Sequence, residues 1–224
     1  MIELEPQIVA LIRQHLMIVA ISGTPYGGKS RLLTKFREDP ENHGYILHQR
    51  ITNRPRRNLP EEELEYVFLG KESFEKCKHL GELLVVERNF NYDYAIRLED
   101  VRDAMGKGMA SIVVTNVNDG FRKIREYYPD SVLIFVTPVE LTEDFSFDGN
   151  KLKETLAKRV KRRKYPCVCS MQELYEFCAC EIRALRDFDR LHIITNLDGM
   201  DNLESSYKLL KEIIHGDAPT SKAQ

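Results

Sequence analysis

Gly23-Thr24-Pro25-Tyr26-Gly27-Gly28-Lys29-Ser30 follows the apolar run Leu16 to Ile21 and precedes a helical face of Leu32, Leu33 and Phe36. A glycine-rich segment between a buried strand and a helix, closed by Lys-Ser, is a phosphate-binding loop. Its backbone N–H groups wrap a phosphate at the positive end of the helix, Lys29 reaches the β- and γ-phosphates, and Ser30 offers its hydroxyl to Mg²⁺ as the helix begins at Arg31. A plain glycine turn is the alternative, and the complete eight-residue pattern in its strand-to-helix context weighs against it. The expectation is a nucleoside triphosphate with Mg²⁺, cradled by residues 23–31.

The rest of the chain has to extend that strand and helix into a fold. Its 224 residues, 42% of them apolar, suffice for a proper core in one large or two small domains. From Leu98 strands and helices alternate: helix Leu98 to Met105, strand Ala110 to Asn116, helix Asn118 to Tyr127, strand Ser131 to Val136. Two charged helical segments follow, Lys151 to Lys164 and Met171 to Leu185, broken at Pro166, then a strand Leu191 to Thr195 and a helix Leu203 to Ile214. Short apolar strands between helices predict a parallel α/β sheet flanked by helices. Before the first strand, Pro6 to Leu16 reads as an amphipathic helix. Residues 50–96 break the alternation with a charged and aromatic stretch.

Charge and cysteine use narrow the setting. Thirty-three basic against 35 acidic side chains leave a net charge of −2, which gives no overall field toward nucleic acid or an anionic membrane; the positive charge is local, at Arg50 to Arg57 and Lys158 to Lys164. No run approaches the ~20 apolar residues of a membrane helix, and Glu3 and Glu5 stand where a secretion signal is basic. Five cysteines are an odd number, which argues against a paired disulfide framework. These features predict a cytoplasmic protein with neither membrane nor nucleic-acid partners, and they leave its oligomeric state open.

The order of short motifs along the chain resembles the guanylate kinase family of nucleoside monophosphate kinases, over Met17 to Ile214. After the phosphate loop, Ile51-Thr52-Asn53-Arg54-Pro55-Arg56 stands where the family has T-T-R-x-P-R, and Glu65-Tyr66-Val67-Phe68 is similar to its D-Y-x-F. Gly81-Glu82-Leu83-Leu84 resembles G-E-F-L, Asn91-Tyr92-Asp93-Tyr94 resembles N-Y-Y, Pro129 to Pro138 resembles the strand before the lid, and Ile193-Ile194-Thr195-Asn196 resembles V-I-V-N. The resemblance implies a P-loop core domain at 1–49, 97–141 and 186–216, an inserted mixed α+β acceptor domain at 50–96, a helical lid at 142–185 and a flexible tail at 217–224. It implies ATP-dependent transfer to a nucleoside monophosphate. Arg54, Arg56, Tyr66 and Tyr94 would hold the acceptor phosphate, Arg159 and Arg163 would reach the transferring group beside Lys29, and Asn196 would lie by the donor adenine. Guanidinium forks and phenol hydroxyls suit a phosphate dianion, and positive charge along the donor phosphates suits the transfer.

The chain departs from that pattern on the acceptor side. The first acceptor arginine of the family falls on Asn53, the glutamate that reads the guanine edge falls on Val85, and the Thr or Ser after Y-Y-G falls on Ile96. Apolar side chains leave the guanine N–H donors unsatisfied, at about 1–3 kcal/mol each, although Glu87 or Glu82 would substitute in another strand register. The family's D-x-D-x-Q-G becomes Thr115-Asn116-Val117-Asn118-Asp119-Gly120, and the arginine of the second lid helix falls near Phe177. Two functions follow. One is an active ATP-dependent kinase of a phosphorylated acceptor, with guanosine monophosphate one candidate; the other is a nucleotide-binding protein on the same fold, with weak or absent transfer, acting in recognition or regulation.

Other signals carry less. Cys167-Val168-Cys169 and Cys178-Ala179-Cys180 place four thiols within fourteen residues, a set that suits tetrahedral Zn²⁺. The C-x-C spacing is tighter than usual, and residues 178 and 180 of one helix point about 200° apart, which favours structural cysteines, with zinc and a redox pair as alternatives. The basic run at 158–164 reads as a solvated helix face that presents phosphate-reaching arginines, since no aromatic interleaving supports base stacking. His48 reads as a satisfied histidine at a strand end, and Tyr26 either stacks on a base or caps the pocket.

Overall fold

The protein is described by a computed structural model covering residues 17–57, 62–162 and 169–216. The helix expected over 6–16, Arg163, Cys167 and the tail from 217 lie outside the described residues. Contacts divide the chain into two compact units; within the described residues one comprises 17–20, 41–115 and 119–131, the other 21–40, 116–118 and 132–216.

The phosphate-loop half follows the predicted alternation. β1 (Ile18–Gly23) leads through the loop into α1 (Lys29–Glu38), and β2 (Tyr45–Leu47) comes next. The five-stranded parallel sheet has the strand order β2-β7-β1-β8-β9, with β7 at Ala110–Val114, β8 at Val132–Thr137 and β9 at Leu191–Thr195. Within the first unit β2 and β7 run parallel with Ile46 opposite Ser111; within the second, β8 and β9 run parallel with Phe135 opposite Ile193. The strands are mostly apolar because a parallel strand covered on both faces meets little solvent; Val19, Leu133, Ile134 and Phe135 have no measurable exposure.

Residues 50–96 build a second sheet that the sequence only half discloses. β3 (Arg50–Thr52), β4 (Tyr66–Phe68), β5 (Leu83–Asn89) and β6 (Tyr92–Arg97) lie in the order β4-β3-β6-β5. β3 pairs parallel with β4 and antiparallel with β6, while β5 and β6 form a hairpin. Two of the four strands are three residues long, too short for a period-two pattern to stand out. Apart from a register shift between Leu83 and Val85, the alternation nonetheless holds. Ile51, Val67, Val86 and Ala95 face one side, where α3 (Lys71–His79) inserts Phe74 into their core. Arg50, Thr52, Tyr66, Phe68, Val85, Glu87, Tyr94 and Ile96 therefore share the opposite face.

Two helices carry side-chain caps at their first turns. α6 (Gly149–Lys161) starts at Asp148, whose carboxylate accepts from the Asn150 and Lys151 N–H groups at 2.8 and 3.1 Å. α7 (Met171–Ala184) opens with a reciprocal Ser170/Glu173 capping box. α2 (Glu62–Glu65), α4 (Leu98–Gly106), α5 (Arg122–Tyr127) and α8 (Met200–His215) complete the set. One expectation is corrected: the strand placed at Ala110 to Asn116 ends at Val114, and Val117–Phe121 forms a π-helical turn before α5. The reason is that the Val117 N–H is bound by a carboxylate from α7 instead of a neighbouring strand.

Candidate functional site

The second unit holds the phosphate loop. The Thr24 N–H donates to the Val136 carbonyl at 3.1 Å, and the Gly27 N–H closes a tight turn onto the Thr24 carbonyl at 2.9 Å. Gly28 sits at φ 95° as the N-cap of α1, and a Cβ there would collide with the Asn196 amide; Gly23, at φ 152°, would drive one into the Val136 carbonyl. Both positions therefore need glycine. Tyr26 takes φ 61° without being glycine, a conformation that costs energy and belongs to constrained loops. Pro25 and Lys29 are half-buried, Ser30 and Arg31 exposed. The Lys29 ammonium donates to the Gly23 carbonyl at 2.5 Å.

A second layer braces this loop. Asn196 is buried at the end of β9; its Nδ2 donates to the Gly27 carbonyl at 3.0 Å and its backbone N–H to the Thr137 carbonyl at 2.8 Å. Arg159 of α6 spreads its guanidinium over three acceptors: the Tyr26 carbonyl at 2.8 Å, the Asn196 carbonyl at 2.6 Å and Asp198 Oδ1 at 3.1 Å. Arg162 and Lys158 reach the same carboxylate at 3.0 and 3.5 Å. Burial alone would raise the pKa of Asp198, but these three cations outweigh it and hold the carboxyl below its usual range. Burial also lowers the pKa of Arg159, against the pull of Asp198. Arg159 is thus gathered at the loop with Asn196, as a brace on its backbone.

The donor features fit a nucleotide phosphate with magnesium. Backbone amides at the head of α1 face an N-terminal turn without acidic residues, so the helix dipole favours an anion there. Thr24 Oγ1 is buried with no hydrogen-bond partner among the described residues. The cradle would close if either Gly23 or Gly28 carried a side chain. Oxygen donors alone, such as the Ser30 hydroxyl, are what magnesium prefers.

The first unit holds the face expected to meet the acceptor. Tyr66 and Tyr94 lie with ring centroids 6.1 Å apart. Arg50, placed by its register beside both, stacks 4.4 Å from the Tyr94 centroid and 5.9 Å from that of Tyr66, and its guanidinium is ion-paired with Glu87. Glu87 also accepts from Thr115 Oγ1 at 2.7 Å and Asn89 Nδ2 at 3.0 Å. Burial opposes the charge on Arg50, yet Glu87 and its neighbours hold its pKa above the usual value, while burial pushes the Tyr66 phenol up. Arg54 is buried against Glu62 at 2.5 Å and lies over the Tyr66 and Phe68 rings; Arg56 is exposed, pairs with Glu63 at 2.5 Å and lies over Phe68. Asn53 exchanges hydrogen bonds with Asp93 at 2.8 and 2.9 Å, which ties β3 to the start of β6. Val85 and Ile96 are directly paired across β5 and β6 and buried, two residues from Glu87 and Tyr94.

Arg54, Arg56, Tyr66 and Tyr94 are therefore brought together at one end of this sheet, and Lys29, Asn196 and Arg159 at the phosphate loop. Sequence reading missed Arg50 as a member of the aromatic cluster and Glu181 as a buried carboxylate. The signal for Arg50 was period two: it shares parity with Thr52, and its partner strand places Tyr66 beside it. Glu181 left no local signal, because its partners lie far away in the chain. His48 is buried and hydrogen bonded to Ser111 at 2.9 Å; its pKa is lowered by burial, against the pull of Asp100. Cys178 is buried, Cys180 exposed and Cys169 partly exposed, and among the described residues no three His, Cys, Asp or Glu side chains group to hold a metal. Among them, too, no helix is long and apolar enough to cross a membrane.

A parallel sheet flanked by helices, with a glycine loop between β1 and α1, is the architecture of P-loop nucleotide-binding proteins. The guanylate kinase family model matches residues 14–216. The chain belongs to the guanylate kinase family. It is 26% identical over 212 residues to a guanylate kinase of Campylobacter jejuni strain RM1221, covering 92% of each, and 25% identical over 203 residues to one of Synechococcus sp. strain JA-3-3Ab, covering 90% of this chain and 83% of that relative. A crystal structure of guanylate kinase from Anaplasma phagocytophilum shares the fold with a TM-score of 0.60 at 17% identity, over 92% of this chain and 88% of that one.

Proposed function

We propose that this chain is an ATP-dependent kinase that transfers the γ-phosphoryl group to a nucleoside monophosphate, giving ADP and a nucleoside diphosphate. The braced phosphate loop carries the reading: Lys29, the glycine cradle and the Asn196–Arg159 support are a complete donor-phosphate site. In this reading residues 1–49, 97–141 and 186–216 act as the core, 50–96 as the acceptor domain and 142–185 as the lid. Magnesium bound with the triphosphate would neutralise charge on the β- and γ-oxygens. Lys29 leaves the Gly23 carbonyl for the phosphates, Ser30 presents its hydroxyl to the metal, and Asn196 lies by the adenine. Arg159 orients the loop, and Arg163 would add charge at the transferring group. Arg54 and Arg56 exchange their glutamate partners for the acceptor phosphate, with Tyr66 and Tyr94 donating from the opposite side; transfer in line needs no covalent intermediate. A cytoplasmic setting agrees with these substrates.

Acceptor-dependent ADP release, measured with Mg-ATP across guanosine, adenosine, cytidine, uridine and thymidine monophosphates with Lys29→Ala as the blank, tests this. Turnover with at least one acceptor is expected; none with any, in protein that binds ATP, would overturn it. Two variants refine the reading. V85E with I96S is expected to raise the preference for guanosine monophosphate tenfold or more, because two polar groups then meet the guanine donors that valine and isoleucine leave unpaired; an unchanged ranking of acceptors would place the base elsewhere. Asp198→Ala, which removes the partner that orients Arg159, is expected to cost about 1 kcal/mol at this partly exposed site, read as a roughly fivefold weaker ATP dissociation constant by titration calorimetry.

A second reading is a nucleotide-binding protein with little or no transfer, acting in recognition or regulation. The observation that favours it is that Arg50, Arg54 and Arg56 all stand in carboxylate pairs, which an acceptor phosphate has to displace.

A further inference from the structure

The face of the second sheet that carries the tyrosines holds hydrogen-bond donors that the described residues do not use. Across the strand order β4-β3-β6-β5 its side chains fall into rows. Tyr66 stands opposite Arg50, the pairing of Ile51 with Ala95 puts Ile96 beside Arg50, and Val85 stands opposite Ile96. The next row is Phe68, Thr52, Tyr94 and Glu87. Arg50 crosses from the first row to the second, where its Nη2 donates to Glu87 Oε1 and its guanidinium lies over the Tyr94 ring. That bond uses one donor of a group that has several. Among the described residues the others find no acceptor, and the Tyr66 and Tyr94 hydroxyls make no hydrogen bond either. On a side chain only 12% exposed, donors of that kind are costly unless a ligand meets them.

Glu87 decides which ligand suits Arg50. Its carboxylate is 2% exposed and is fixed by Thr115 Oγ1 at 2.7 Å and Asn89 Nδ2 at 3.0 Å as well as by Arg50. A phosphate dianion on Arg50 would stand beside that buried negative charge, where repulsion is poorly screened; a neutral oxygen would not. Ile96 and Val85, buried next along the row, suit the plane of a base and exclude a charged group. A carbonyl on a nucleobase meets both conditions, whereas an amino group in its place would turn N–H against N–H. We propose that Arg50 selects the acceptor's base by donating to its exocyclic carbonyl, at C6 of guanine and hypoxanthine or at C4 of uracil and thymine, and so discriminates against adenine and cytosine, which carry an amino group there. This rests on the acceptor reading above, in which the two phenols, Arg54 and Arg56 take the phosphate and leave Arg50 for the base. Arg50, Val85, Glu87, Ile96 and the tyrosines belong to one compact unit, so the assignment depends on that unit's geometry alone.

The test compares ligands that differ at that one position, inosine against adenosine monophosphate and uridine against cytidine monophosphate, by titration calorimetry. In the wild type the carbonyl member of each pair is expected to bind at least tenfold more tightly. In R50M with E87L, which removes the donor together with the charge that partners it, the preference is expected to fall below threefold in both pairs while adenosine monophosphate affinity stays within twofold of the wild type. A purely structural role for Arg50 would weaken all four ligands alike and keep the ratios, and that result overturns the inference. Should that variant not fold, R50Q with E87Q decides: an amide can donate or accept, so ratios below threefold support the assignment and wild-type ratios overturn it. Wild-type protein that binds the monophosphates without a carbonyl preference removes this inference alone. Wild-type protein that binds none of the four removes the acceptor reading itself, and this inference with it.

Discussion

Lys29→Ala is expected to lower kcat/KM for the proposed phosphoryl transfer by about 10²–10³-fold, the scale of removing one fixed donor to developing charge. The physical basis is positional. In the structure the ammonium is held at the Gly23 carbonyl, 2.5 Å away, beside the loop backbone, so in the proposed mechanism it has only to turn from that carbonyl to reach the β- and γ-oxygens. An alanine leaves the loop backbone intact, because the turn is closed by the Gly27 N–H and anchored by the Thr24 N–H. The variant is therefore expected to melt within about 1 kcal/mol of the wild type, as exposed and half-exposed substitutions do, and to lose turnover chiefly through kcat. Steady-state kinetics with thermal unfolding on the same preparation checks both parts. Normal turnover in the folded variant would sink the proposed mechanism.

The largest effect on stability is expected at Glu87. Its side chain is 2% exposed and that of Arg50 12%, and the carboxylate is also the acceptor for Thr115 Oγ1 and Asn89 Nδ2. Glu87→Ala would strand the buried guanidinium between the Tyr66 and Tyr94 rings, a change that costs about 3–5 kcal/mol. Replacing both partners with apolar groups, as R50M with E87L, is expected to recover most of that loss, since the pair itself is close to neutral against a hydrophobic substitute. Urea unfolding of the three variants measures the difference directly. An E87A protein within about 1 kcal/mol of the wild type would mean that Arg50 finds water or another partner, and the aromatic cluster would then not depend on the pair.

That cluster also marks the limit of what local pattern discloses. The phosphate loop was legible because its chemistry is contiguous: eight successive residues, a strand before and a helix after. Strands such as Ala110–Val114 and Leu191–Thr195 were legible because burial on both faces makes them mostly apolar. The second sheet was not, since Arg50–Thr52 and Tyr66–Phe68 are too short to display a period and carry charge on one face. Residues 115–121 were misread, the first two as strand end and 118–121 as helix start, for a different reason. The Val117 N–H is satisfied by Glu181, sixty-four residues on, and no windowed pattern contains both.

By itself, then, the sequence determined the glycine-rich loop motif between strand and helix, the parallel α/β core and the motif order that marks the family, because each depends on residues close together in the chain or on burial that repeats along it. Tertiary structure alone decided which acidic side chain meets which gap. Arg50 finds Glu87 across the second sheet, Arg159 finds the carbonyls of Tyr26 and Asn196, and Glu181 arrives from α7 at the turn after β7. Burying a charge requires a partner, and a partner can come from any point in the chain that the fold brings within hydrogen-bond reach.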